Sequence, residues 1–97
     1  MYEDDHEDIL TAAAAGDTDE VAAVLSMDNR LTSAKDADGR TPLHLAAAGG
    51  HAATVDLLLH NNANPNVRDR AGWTPLAVAD AAGHGDVAAL LRRGGAH

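Results

Sequence analysis

Six histidines (His6, His44, His51, His60, His84 and His97) and fifteen carboxylates are the side chains of this chain that could do chemistry. Histidine first suggests zinc, but a zinc site needs nitrogen ligands within about 2.1 Å of one ion, and cysteine is absent. His51 and His84 are the best pair, each following a glycine and 33 residues apart. On successive units of a helical stack their backbones would stand ~8–10 Å apart, so both rings would have to leave their turns to share an ion. His6, His60 and His97 have no partner at ligand spacing, and His44 belongs to a helix start. No metal and no cofactor is therefore expected. There is no Gly-rich phosphate loop and no serine or cysteine nucleophile signature. Asp36 and Asp69 recur as Asp36-x-x-Gly39 and Asp69-x-x-Gly72 and read as turn formers rather than acid–base catalysts. An enzyme is not expected.

These side chains recur because the chain does. Thr41-Pro42-Leu43-His44-Leu45-Ala46 is echoed by Thr74-Pro75-Leu76-Ala77-Val78-Ala79, a period of 33 residues. Thr41 can cap a helix with its hydroxyl, and Pro42 suits the first helical position, where a missing N–H costs nothing. His44 falls at the third helical position, from which a side chain can reach back to the cap as the Glu of a capping box does. Shifted by the same 33 residues, Leu10 lands on Leu43, Ala13 on Ala46 and Gly16 on Gly49, with Thr11 where His44 would stand. The spacing predicts three helix pairs: Ile9 to Ala15 with 19–27, Pro42 to Ala48 with 52–61, and Pro75 to Ala81 with 86–93. Glu7 and Asp8 fit the first turn of the first helix, at the positive end of its dipole. Residues 28–40 read as a long polar connector, and Asn62 is placed to take a left-handed cap.

Composition bounds the rest. A chain of 97 residues forms one small domain with a thin core. With only Tyr2 and Trp73 as aromatics, that core is built from Leu, Val, Ile and Ala. The net charge of −8 argues against nucleic acid and against an anionic membrane surface. No apolar run approaches the ~20 residues of a membrane span, and the acidic first eight residues carry no apolar signal core. A cytoplasmic protein is expected.

A period near 33 with a Thr-Pro-Leu-His-x-Ala helix start resembles the ankyrin repeat, over nearly the whole chain. The resemblance implies an all-α ankyrin-repeat solenoid of three helix-turn-helix pairs with short β-hairpin connections projecting sideways. It implies one domain, 1–97, with an N-terminal cap at about 6–38, a full repeat at about 39–71 and a C-terminal cap at about 72–97. His51 and His84 then sit where the family braces the inter-helix turn. Asp80 departs from the pattern, taking a place usually filled by a small apolar residue; it is expected to be exposed, with a polar partner contact as the alternative. The implied function is non-catalytic protein–protein binding through the hairpin tips and the concave face of the first helix of each pair. Carried over position by position, the partner-binding surface is Asp38, Arg40, Ala48, Arg70, Trp73 and Ala81, with Ala37, Ala71 and Ala82 beside them. Trp73 and Arg40 are side-chain types enriched among interface hot spots. The partner is another protein, and a monomer is expected, with weak dimerisation through the C-terminal face as the alternative. Two other classes remain open. One is a small acidic inhibitor of a basic site on an enzyme or nucleic-acid-binding protein; the other is a minimal or designed repeat scaffold without a dedicated partner.

Overall fold

In the computed structural model, which describes residues 5–96, six helices and one short 3-10 helix follow in order: α1 (Asp5–Ala15), α2 (Thr18–Met27), the 3-10 turn (Asn29–Ser33), α3 (Pro42–Gly49), α4 (Ala52–His60), α5 (Pro75–Ala82) and α6 (Gly85–Arg93). The pairs α1–α2, α3–α4 and α5–α6 stack, with α1 against α3 against α5 and α2 against α4 against α6. The stack is elongated, 39 × 25 × 20 Å.

Local chemistry starts and stops these helices. Asp17 caps α2 by accepting the Glu20 N–H at 3.2 Å, and Thr74 caps α5 by accepting the Ala77 N–H at 3.2 Å. Thr41 and His44 form the reciprocal box expected of them. Gly50 and Gly83 close α3 and α5 in the left-handed region, at φ 71° and 79°, where an L side chain would be strained. Asn62 takes the left-handed place after α4, at φ 68°. The core between the two helix layers is mainly aliphatic, with Thr54 and His44 as buried polar members that have hydrogen-bond partners. Ile9, Val21, Leu43, Val55, Leu58, Val87 and Leu91 are fully buried, and Ala13, Ala46, Ala47 and Ala79 let the first helices approach closely.

Two expectations need correction. The connector 28–40, expected as a polar stretch, also contributes to the core. Asp28 accepts the Arg30 N–H at 3.1 Å and starts a 3-10 helix, whose Leu31 and the following Ala34 close the core beneath α1 and α3. The short β-hairpins, second, contain no strand among the described residues. Each is a turn in which an aspartate side chain takes two of the N–H groups and backbone carbonyls take others.

Histidine rings link the stacked pairs. The His51 ring lies over Gly16, leaving no room there for a Cβ, and its Nε2–H donates to the Ala14 carbonyl at 3.1 Å. The His84 ring lies over Gly50 in the same way, and its Nε2–H donates to the Ala48 carbonyl at 3.2 Å. Each ring bonds back to the pair before it, and neither makes a side-chain cap bond to the helix it precedes.

Candidate binding site

Along one edge of the stack, two turns precede α3 and α5 and lie one above the other. In the first, the Asp36 carboxylate accepts the N–H groups of Asp38 and Arg40, both at 2.9 Å, and the Arg40 Nε–H at 3.0 Å. The Asp36 N–H donates to the Arg40 carbonyl at 3.0 Å, which closes the turn. Partial desolvation pushes the Asp36 carboxyl up, but those backbone donors and the Arg40 guanidinium outweigh it and hold the group below the ordinary carboxylate range. The second turn repeats this arrangement: Asp69 accepts the N–H groups of Ala71 and Trp73, both at 2.9 Å, and its own N–H donates to the Trp73 carbonyl at 2.9 Å.

Arg70 joins the two turns. Its backbone N–H donates to the Asp38 carbonyl and its Nη1–H to the Ala37 carbonyl, each at 3.0 Å. A Cβ on Gly39 would stand only 3.1 Å from Arg70 Cγ, so glycine there permits the close approach. From below, His44 fixes the second turn. Its Nδ1 accepts the Thr41 N–H at 3.2 Å, so Nε2 carries the proton that is donated to the Trp73 carbonyl at 2.7 Å. The side chains of this edge therefore stand on a rigid, hydrogen-bonded base.

Asp38, Arg40, Asp69, Arg70 and Ala71 line one open depression of about 420 Å³ between the turn tips. Trp73 follows these residues in the chain, and its side chain is 44% exposed although large and apolar. Of the residues marked out by the sequence, Asp38, Arg40 and Arg70 are thus brought together, with Ala71. Ala48 and Ala81 are exposed but lie in the last turns of α3 and α5, about 10 Å along each helix from the tips. They are not part of the depression.

The arginines differ. Arg40 is neutralised where it stands, pairing with Asp36 at 3.0 Å and Asp38 at 3.2 Å. Arg70 pairs with no carboxylate among the described residues. Sequence spacing marks both as tip residues and cannot separate them. Asp80 is exposed and faces Arg92 at 3.5 Å, a loose pair at the end of the stack. Asp56, Leu59, His60, Leu90, Arg93 and Gly94, none of them marked out by the sequence as site residues, line a second open depression between the C-terminal ends of α4 and α6. The one signal available for it was that His60 and Arg93 stand one period apart.

No described helix is long and apolar enough to cross a membrane. No curated protein matches the chain. The profile of the family described as ankyrin repeats (3 copies) matches residues 4–97. Since that match spans nearly the full length, this chain belongs to the ankyrin-repeat family.

Proposed function

We propose that the protein is a non-catalytic binding module that holds a protein partner at the turn tips before α3 and α5, with the concave side of α1, α3 and α5 as the adjoining surface. Ankyrin repeats are in general protein–protein interaction modules, and the observation that carries the reading here is the exposed Trp73 in the turn that also holds Asp69 and Arg70. Among the described residues Met27 and Trp73 are the exposed large apolar side chains, and of the two only Trp73 stands on the hydrogen-bonded turn edge, where its indole is a natural anchor. Asp38, Arg40 and Arg70 would supply the polar contacts, with Ala48 and Ala81 as a flat floor further along. The chain would act as one domain of three repeats, at about 6–38, 39–71 and 72–97, as a cytoplasmic monomer that binds neither nucleic acid nor cofactor.

Affinity capture from the source cell, run in parallel with wild-type and Trp73→Ala protein, tests this. A partner retained by the first and lost by the second is the expected result. A partner held equally by Trp73→Ala and Arg40→Ala variants would place binding elsewhere. A second reading, a small acidic inhibitor of a basic site, is favoured by the charge distribution. Residues 1–34 hold nine carboxylates and one arginine, whereas residues 35–97 hold six of each sign. Binding of that kind would fall steeply with salt and survive loss of Trp73.

A further inference from the structure

Given the tip-binding reading above, on which this step rests, we infer that the segment recognised there is acidic: a carboxylate meeting Arg70, next to an apolar side chain packed on Trp73. Three of the four charged groups lining the depression already have partners within the turns. The Asp69 carboxylate accepts two N–H groups of its own turn. Arg40 is paired with Asp36 and Asp38, and that second contact engages Asp38 as well. Arg70 alone pairs with no carboxylate among the described residues, while its bond to the Ala37 carbonyl uses Nη1 and fixes the guanidinium in place. A guanidinium has five N–H donors in a planar fork matched to a carboxylate, so held by one bond it remains able to take another acceptor.

The charged groups lining the depression balance, Arg40 and Arg70 against Asp38 and Asp69, so its preference is set by which of them still has donors to offer. The acidic excess of the chain lies in residues 1–34, whereas the described residues that line the depression all come from 38–71. Trp73, exposed in the same turn as Arg70, adds the apolar half of the recognition, which suits an acidic residue flanked by an aliphatic or aromatic one.

Selection of a phage-displayed random dodecapeptide library on the immobilised full-length protein tests the inference, followed by titration of the enriched peptides made synthetically. Enrichment of peptides with Asp or Glu next to an apolar residue is expected. Arg70→Gln should weaken these peptides about tenfold or more, and Trp73→Ala similarly, while Arg68→Gln, outside the depression, should change them less than about threefold. Should Arg70→Gln disturb the turn, the wild-type protein still decides: changing the peptide's acidic residue to Gln must cost about the same factor. Basic or neutral peptides that depend on Trp73 would overturn the acidic assignment and leave the tip site standing. No enrichment, or enrichment indifferent to both Trp73 and Arg70, would overturn the tip site itself.

Discussion

His44 is held from two directions. Its Nδ1 accepts the Thr41 N–H at 3.2 Å and its Nε2–H reaches the Trp73 carbonyl at 2.7 Å, so one buried ring completes a helix cap and ties two repeats. His44→Ala is expected to lower unfolding free energy by ~2 kcal/mol or more, combining a damaged cap with a lost buried bond; urea denaturation measures it. At Asp36 the folded state favours the ionised form, so the group's stabilising contribution is present above the ordinary carboxylate range near pH 3.8 and is lost as pH falls through its lower folded value. Stability measured from pH 6 downward should therefore fall less steeply below about pH 4 in Asp36→Asn than in the wild type. Identical slopes would mean that the Asp36 turn does not discriminate between its protonation states.

At the scale of the element, two glycines with the same backbone test what the histidine stacking adds. Gly50 and Gly83 both end a helix in the left-handed region, at φ 71° and 79°. A Cβ at Gly50 would lie 2.8 Å from the His84 ring, whereas one at Gly83 meets nothing within 4 Å. Gly83→Ala should cost about 1–2 kcal/mol for conformation alone, and Gly50→Ala clearly more, read as the difference in melting temperature. Equal costs would mean that the His84 ring moves aside freely. Leu58 and Leu91 hold equivalent places on α4 and α6, and both are 0% exposed. Leu→Ala is expected to cost about 2–5 kcal/mol at each in chemical denaturation. Their position in the stack alone suggests a smaller loss at Leu91, but Ala96, folding back to a buried place, helps seal that end. Leu57, which the period ranks with Leu58, is only half-buried and should cost less.

The whole molecule is electrically lopsided, with nine carboxylates and one arginine in residues 1–34 and balance in the rest. Self-repulsion of this kind destabilises a compact state and is screened by salt. The melting temperature of the isolated protein should accordingly rise as sodium chloride goes from low ionic strength to about 0.5 M, by a few degrees. A fall would show that attractive pairs such as Arg40 with Asp36 and Asp38 outweigh the repulsion.

The helices, the Thr41 cap with His44 reaching back to it, the 33-residue register and the family were legible in the sequence, because each is set by groups within about four residues of one another or by simple repetition. The Asp36 and Asp69 turns were legible as turns for the same reason. Only the tertiary structure decided which atoms those units bring together. His51 finds Ala14, His84 finds Ala48, His44 finds Trp73 and Arg70 finds Ala37 across 29 to 37 residues of chain. No local spacing encodes such a meeting, since it depends on how one repeat settles on the next to within a fraction of an ångström. The same holds for the 3-10 helix, where a polar-looking segment is recruited because Leu31 and Ala34 can close an otherwise open core. It holds also for Arg40 and Arg70, equal as letters at the turn tips. One is paired within its own turn and the other is left with donors to spare, because only the folded chain places Asp36 and Asp38 beside Arg40 and the Ala37 carbonyl beside Arg70.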